Sequence, residues 1–376
     1  MAEVLGFQIL LNKALPTGWD ATRLTEWAFR DGVTYGELVN MTALALADFN
    51  AEMMRDWGWL AFITEEIAME YEQGGSVTPS PDITDVDDVD PRHGTTIGHM
   101  LDLRVYGEAI GGTRRYFRDA RSAKITATIN TIVRSLRWRY EQKVLTRWFT
   151  NTETAIGSVG FSVPFVRGTG GNVDYAPPAF DGEAFDTTHN HYLGFDSDAS
   201  ANDHGDVLNG LAETLQEHGH APPYVAVVSR ADIASYYALT NWVEIVEPVV
   251  STIDRGGATA GTQFFTVGTR EFGQIGFYHS QYGLIEVRAT ARVPTNYAGL
   301  AKSYGNNTAR NPLAVRVHPE SGFGAMVRPE TAPDDDYPLK KLNIEMEYDV
   351  GVGMDRTNGA VGFLVSGGTF TNPTIS

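Results

Sequence analysis

Apolar residues recur at helical spacing near the start of the chain. Thr34 followed by Glu37 fits a capping box, in which a hydroxyl and a carboxylate each satisfy a free backbone N–H at a helix start. The apolar positions that follow are Leu38, Met41, Leu44, Ala45 and Phe49. Residues 1–75 are therefore predicted to be largely helical.

The same segment is rich in tryptophan. It contains Trp19, Trp27, Trp57 and Trp59, four of the seven tryptophans of the chain. So many large aromatic side chains without an evident second layer indicate that the segment packs on another domain or another copy. The alternative is an ordinary helical subdomain.

The longest helical pattern covers residues 119–150. About 30 residues at 1.5 Å each give roughly 45 Å of helix, which is longer than one compact domain needs. Its apolar face consists of Ile125, Ile129, Ile132, Val133, Leu136, Tyr140 and Val144. Charged residues away from that face predict a solvated surface formed by Arg134, Arg137, Glu141 and Arg147.

Just before this helix, residues 100–117 read as a long hairpin. The sequence predicts strands over 100–105 and 113–117 and a turn over 106–112, which holds three glycines. An isolated two-stranded hairpin is marginally stable in water, so this one is expected to need support from elsewhere.

The second half of the chain mixes helices and strands. A helix is predicted over 206–218, capped by Asp206 and ended by Gly219, and Ser229 with Asp232 opens another helix. Strands are predicted over 224–228, 264–268, 274–278, 284–288, 313–317, 325–328 and 342–350. The fold class is therefore α+β.

The amino-acid composition excludes several classes of protein function. The chain has 376 residues, no cysteine and a net charge of −18. The absence of cysteine excludes disulfide scaffolds, thiolate metal sites and cysteine nucleophiles. The acidic balance argues against a protein whose main task is to grip nucleic acid, and no apolar stretch is long enough to span a bilayer. We therefore expect no membrane partner.

The charge is divided unevenly along the sequence. Residues 56–91 carry ten acidic side chains and no Lys or Arg, whereas residues 104–147 carry eleven basic side chains against three acidic ones. The second segment thus has a charge of +8 and the rest of the chain −26. Arginine outnumbers lysine 23 to 6. The basic stripe would suit nucleic acid, but an acidic protein surface fits better because the same chain supplies one.

Five of the nine histidines lie within 32 residues, namely His189, His191, His204, His218 and His220. A His-x-His pair begins several kinds of metal site. The Glu that a cupin-like site needs soon after the pair is missing, however, and the later histidines flank a helix. The favoured interpretation is turn and cap histidines, with a partly protonated His218 in the last helical turn. We therefore predict no metal ligands.

The sequence patterns for other kinds of binding or catalytic site are incomplete. The acidic run over 82–90 lacks the sixth-position glycine and closing Glu of an EF-hand loop. The glycines of 168–171 lack a phosphate-binding pattern, and Ser229 lacks a nucleophile elbow. We predict no catalytic residues and no cofactor.

The order of elements resembles that of the major capsid proteins of tailed bacteriophages, with the Hong Kong 97-type fold. The passages that carry this resemblance are residues 102–116 (DLRVYGEAIGGTRRY) with the helix after them, and residues 180–191 (FDGEAFDTTHNH). The resemblance implies an N-terminal arm over 1–75 and an acidic connector with the extended loop over 76–118. It further implies a spine helix and the first part of a peripheral domain over 119–185, an axial domain over 186–318, and closing strands over 319–376.

The resemblance also implies a shell subunit without enzymatic activity, forming hexamers and pentamers of a virion head around double-stranded DNA and assembling in the host cytoplasm. Other partners would be a separate scaffolding protein, a portal and a decoration protein, with weak, non-specific contact to the packaged DNA. The expected subunit-interface residues are Arg104, Arg114, Arg115 and Arg118 on one copy and Asp85, Asp87 and Asp88 on its neighbour.

Some members of this family join subunits through a lysine in the extended loop. Here no lysine lies between Lys13 and Lys124, so we predict shells without such isopeptide cross-links. A denaturing gel of mature particles should show single chains, and covalent ladders would contradict the prediction.

Two alternatives stay open at this point. One is an encapsulin, a shell of the same fold that encloses enzymes; such proteins are usually shorter and have a less extended arm. The other is a His-rich metal-dependent enzyme.

Overall fold

Helices and strands are interspersed along the chain, in agreement with the predicted α+β class. A computed structural model describes residues 29–73, 95–156, 160–167, 175–198, 202–244, 273–330 and 339–375. The helices in these ranges are α1 (Tyr35–Trp57), α2 (Arg114–Asp119), α3 (Ser122–Phe149), α4 (His204–Glu217) and α5 (Ile233–Tyr237), with a 3₁₀ turn at Arg230–Asp232 before α5. The first strands are β1 (Ala61–Thr64), β2 (Ala68–Gln73), β3 (Thr95–Met100), β4 (Arg104–Thr113), β5 (Thr154–Ile156), β6 (Gly160–Ser162), β7 (Tyr192–Asp196) and β8 (Tyr224–Ser229). The remaining strands are β9 (Trp242–Glu244), β10 (Gln274–Ser280), β11 (Gly283–Thr290), β12 (Tyr297–Ala301), β13 (Leu313–Val317), β14 (Ala325–Glu330), β15 (Leu339–Val352) and β16 (Ala360–Val365).

One sheet is built around the long strand β15. Its order is β1-β13-β15-β14, and β4 pairs with the other edge of β15. Alternate residues of β15 are buried, from Leu342 through Ile344, Met346 and Tyr348 to Val350. The period-2 pattern therefore identifies the buried face of this strand correctly.

The predicted hairpin over residues 100–117 is wrong. Residues 104–113 form one continuous strand, β4, paired antiparallel with β15 from Thr113 opposite Leu339 to Arg104 opposite Tyr348. At Gly107 an added Cβ would come within 2.9 Å of the Ile344 carbonyl oxygen. This glycine therefore permits close approach of two strands rather than a turn, which is the other common role of glycine in a sheet.

A hairpin is present one segment earlier in the sequence. Strand β2 pairs antiparallel with β3, from Ala68 opposite Met100 to Gln73 opposite Thr95. Residues 74–94, which connect these strands and contain the acidic run over 82–90, lie outside the described residues. The root of the hairpin is supported by its own chain, because Met69 packs with Leu101, Phe62 and Ala314.

The second large sheet has the order β7-β16-β12-β8-β11-β10-β9. Every residue of β8 is buried, which agrees with the apolar run at 224–228. Helix α4 contributes Leu208, Leu211 and Leu215 to the apolar core of this sheet. The predicted strand over 264–268 lies outside the described residues, whereas the other strands predicted in the second half of the chain are confirmed with shifts of a few residues.

Helix α3 confirms the predicted long helix but only part of its polar surface, because Arg134 is exposed. Glu141 and Arg147 are buried, as are Leu145, Trp148 and Phe149 on neighbouring faces. The end of α3 lies against the second sheet, where a Cβ at Gly299 would meet both Trp148 and Phe149. The helix passes from one sheet to the other, so its last turns are enclosed on faces that a single apolar stripe predicts to be solvated.

Helix α1 begins as predicted, with the full Thr34–Glu37 capping box. Trp57 and Trp59 pack in the same core as α3 and β15. Trp57 and Trp59 therefore pack against other elements of their own chain. Trp19 and Trp27 lie outside the described residues. Among the described helices, none is long and apolar enough to cross a membrane.

Candidate subunit interface and histidine cluster

The predicted basic interface residues fall on β4 and α2. Arg115 is highly exposed, with 85% of its side chain accessible, and its Nε lies 3.8 Å from the Asp119 carboxylate on the same helix. Arg114 and Arg118 belong to the same helix, but their side chains lie outside the described set. Helix α2 thus places three arginines within five residues, at least one of them open to solvent.

Arg104 is held more closely by carboxylates of its own chain than Arg115 is. Its Nε lies 2.6 Å from Asp102 and 3.5 Å from Asp349, and half of the side chain is exposed. The hydrogen bond to Asp102 raises the pKa of this guanidinium. Arg104 therefore offers a neighbouring copy less free charge than Arg115 does. Asp85, Asp87 and Asp88, the predicted acidic partners, lie outside the described residues.

The basic character of α3 is divided between a surface and an internal network. Arg121, Lys124, Arg134 and Arg139 are exposed. Arg137 instead contacts the buried carboxylate of Asp56 on α1 and the Oε1 of Glu141 at 3.2 Å. The other oxygen of Glu141 accepts from Nε of Arg292 at 2.6 Å. This network connects α1, α3 and the turn between β11 and β12.

Sequence reasoning also missed Arg356, which is 1% exposed. Its guanidinium donates to the carbonyl oxygens of Pro164 and Phe165 and to the Tyr71 hydroxyl, at 3.0, 3.3 and 3.1 Å. It also lies over the rings of Tyr71 and Tyr175. Since Tyr71 belongs to β2, this arginine fastens the hairpin root to the body of the molecule. No local sequence pattern separates it from the other 22 arginines.

Three of the five clustered histidines meet in space. The Nε2 atoms of His189, His191 and His218 lie 3.2, 3.0 and 2.9 Å apart in the pairs His191–His189, His191–His218 and His218–His189. His189 and His191 come just before β7, and His218 is the C-terminal cap of α4. We call these three residues the histidine cluster.

The other two histidines are engaged elsewhere. The ring of His204 packs on Tyr236, with ring centroids 4.7 Å apart. His220 uses its two ring nitrogens on the Tyr304 hydroxyl and the Thr357 hydroxyl, both at 2.9 Å. These contacts agree with the interpretation of His204 and His220 as structural side chains.

The electrostatics of the histidine cluster favour neutral rings. Burial, and then the neighbouring His189 and His220, lower the pKa of His218 to about 3. Burial also lowers the pKa of His189, and it lowers that of the fully buried His191 well below the ordinary value. The expectation of a partly protonated His218 stabilising the end of α4 is therefore wrong, because desolvation of the ring outweighs the helix dipole.

Comparison with known proteins gives no match to a family model and none to a curated sequence. Several solved structures are similar to the structure of this chain. A chain of Mycobacterium phage Patience has 22% identity and a TM-score of 0.62, covering 92% of this chain and 92% of that one. A chain of the bacteriophage PhiM1 mature capsid has 12% identity and a TM-score of 0.47, covering 83% and 86%. The SrpI encapsulin of Synechococcus elongatus has 12% identity and a TM-score of 0.40, covering 83% and 88%.

The similarity to the Patience chain extends over nearly the whole length of both proteins. The element order predicted a Hong Kong 97-like arrangement of helices and strands, and the comparison agrees at the level of the fold. We conclude that this chain has the α+β fold of the Hong Kong 97-like capsid proteins.

Proposed function

We propose that this protein is the major capsid protein of a tailed bacteriophage, forming hexamers and pentamers of a virion head that encloses double-stranded DNA. The observation that carries the proposal is the fold, shared with a phage protein over 92% of both chains. The proposed role is structural and involves no reaction, in keeping with a fold used for shells.

Surfaces that are incomplete in a single copy support assembly. Strand β4 pairs with β15 along one edge, and among the described strands nothing pairs with its other edge. An open strand edge is suited to contact with another chain. Large apolar side chains are exposed at Val105 on this strand, at Ile67 beside the hairpin and at Trp138 on α3, at 60%, 54% and 47%.

Charge supports the proposed choice of contact surfaces. Arg114, Arg115 and Arg118 on α2, with a lesser share from Arg104, would meet acidic groups between β2 and β3 of a neighbour, including Asp85, Asp87 and Asp88. The planar guanidinium suits such pairing because it binds a carboxylate through two parallel hydrogen bonds. The net charge of −18 suits a container that encloses DNA without gripping it.

The remaining partners in this proposal are a separate scaffolding protein, a portal and a decoration protein. Assembly would take place in the host cytoplasm and the product would be the virion. The domain limits at residues 75, 118, 185 and 318 belong to the same proposal.

Assembly of the purified chain tests the proposal directly. The full chain without an affinity tag should form rings of five or six copies, or closed shells, in negative-stain images and in sedimentation velocity. Protein concentration, salt and a crowding agent should be varied, because nucleation of a shell depends on all three. Isolated small particles under every condition would contradict a shell function.

The contents of the particles distinguish the phage head from an encapsulin. Particles recovered from the natural host should protect double-stranded DNA from nuclease. Particles that hold protein cargo and no protected DNA would overturn the phage assignment while leaving a shell function in place.

A further inference from the structure

In the histidine cluster three ring nitrogens lie close together, and hydrogen bonds among the three rings do not explain this arrangement. Its three Nε2 atoms are mutually 2.9–3.2 Å apart. Each ring nitrogen carries either one hydrogen or one lone pair, directed along one line in the ring plane. Three such atoms aimed at one another cannot satisfy all three contacts, because each offers a single direction.

The state of His191 is fixed by its other nitrogen. Its Nδ1 lies 2.9 Å from the carbonyl oxygen of Gly359, and since a carbonyl only accepts, Nδ1 carries the hydrogen. In a neutral ring Nε2 then carries a lone pair and no hydrogen. This nitrogen is buried with the rest of the His191 side chain. A histidine whose second nitrogen donates to a backbone carbonyl is the arrangement that orients metal-ligating imidazoles in proteins.

The surroundings keep the other two rings in place. The ring of Phe185 lies 4.7 Å from that of His189 and 4.2 Å from that of His218, measured between centroids. Positive charge on these rings is disfavoured because the cluster is largely enclosed. A neutral imidazole is the form that binds a metal ion.

We propose that His189, His191 and His218 bind one Zn²⁺ ion through their Nε2 atoms. Imidazole ligands suit zinc, and three nitrogens of a tetrahedral zinc ion bound at about 2.0–2.1 Å lie about 3.3 Å apart, close to the separations in the cluster. Among the histidine, aspartate and glutamate side chains of the described residues, these three have ligand atoms that all lie within 4.8 Å of one another. A fourth position is left to water.

The ion would act as a structural clamp. His189 and His191 belong to the segment that enters β7, whereas His218 ends α4, 27 residues later in the sequence than His191. One ion bound to all three would fix that segment to the end of the helix. This inference departs from the expectation of a cluster without metal ligands, and it does not depend on the proposed shell function.

Metal analysis of the whole chain tests the site. The protein should be made without a polyhistidine tag, stripped with a chelator, dialysed against Zn²⁺ and analysed for metal by inductively coupled plasma mass spectrometry. We expect one zinc per chain, and a thermal midpoint that rises with Zn²⁺ and falls again on chelation. Bound Co²⁺ should show the intense visible absorption of a tetrahedral site.

Variants locate the site. His191→Ala and, independently, His218→Gln should lose stoichiometric zinc and the thermal shift. His279→Gln should retain both, because His279 is exposed on β10 and remote in sequence from the cluster. Substoichiometric zinc in the unmodified chain would overturn the proposal whether or not the variants fold, as would full zinc binding by either cluster variant.

Discussion

Arg356 joins three separate parts of the chain through one side chain. Its guanidinium has two backbone carbonyls and one hydroxyl as acceptors and two aromatic rings as neighbours. Within the described part of the chain, no carboxylate is among its hydrogen-bond partners. The charge is stabilised by oriented dipoles and ring faces, which act strongly where water is excluded. Removal of the side chain would leave these acceptors unsatisfied.

We therefore expect Arg356→Ala to lower the free energy of unfolding by about 3 kcal/mol, combining lost hydrogen bonds with lost packing. Urea denaturation of the unassembled chain measures this. Arg230→Ala is the matched control, since Arg230 is exposed, and it should change the free energy of unfolding by less than about 0.5 kcal/mol. Equal effects of the two substitutions would show that Arg356 is not an anchor.

His99 on β3 makes the hairpin root sensitive to acid. Burial, and then the charge of Arg356, lower the pKa of His99 to about 4. The ring is neutral in the folded chain, while in the unfolded chain it protonates near the ordinary value of about 6.5. Folding stability therefore decreases as the pH falls from about 6.5 to about 4 and levels off below that.

His99→Gln removes this titration. The difference in unfolding free energy between the original chain and the variant should shrink by about 3 kcal/mol as the pH falls through this window, at 1.36 kcal/mol per pKa unit. A difference for His99→Gln that does not change with pH would contradict a neutral buried ring.

At the scale of elements, α1 and α3 are connected by a charge network that the sequence does not reveal. The side chain of Asp56 is 2% exposed, whereas that of Glu52, which contacts the same guanidinium of Arg137 at 3.4 Å, is 49% exposed. Water can replace the exposed Glu52 at little cost in free energy, but it cannot reach the buried Asp56. Substitutions of these two carboxylates therefore compare an exposed with a buried partner of the same guanidinium.

We expect Asp56→Asn to lower the free energy of unfolding by about 2–3 kcal/mol, because Arg137 loses one of the two enclosed carboxylates that contact it and keeps Glu141 alone. Glu52→Gln should cost less than about 0.5 kcal/mol. Denaturant unfolding of both variants provides the comparison, and a larger effect at Glu52 would refute this division of the network.

The elements themselves were largely predictable, and the failures have physical reasons. The capping box at Thr34, the apolar stripe of α3 and the alternation of β15 are local signals, so the sequence contains them. The glycines of β4 predict a turn instead of a strand, because glycine serves both turns and close strand contacts. The meeting of His191 with His218 depends on how β7 and α4 dock, which no local pattern encodes. The same holds for the burial of Arg356 and Glu141.

At the scale of the whole molecule, assembly should depend on the basic surface of α2. Arg114→Glu combined with Arg115→Glu should raise the protein concentration needed for assembly at least tenfold, because attraction to an acidic neighbour becomes repulsion. High salt should weaken assembly of the original chain in the same direction by screening these charges.

Light scattering across protein and salt concentrations measures both effects. Arg230→Glu is the control, because it makes the same two-unit change of charge per substituted residue at an exposed site remote in sequence from α2. This variant should assemble normally. If the double variant assembled with unchanged salt dependence, the proposed role of these arginines would be wrong.

The position of the last strands has a consequence for synthesis. Strand β15 lies between β4 on one side and β13 and β14 on the other, and β16 lies between β7 and β12. Neither sheet is complete until translation has passed residue 338, since β15 and β16 are both synthesised after that point. A polypeptide that ends before β15 lacks the strand that joins β4, β13 and β14, and it lacks the strand that connects β7 to β12. Such a truncated chain therefore has two incomplete sheets.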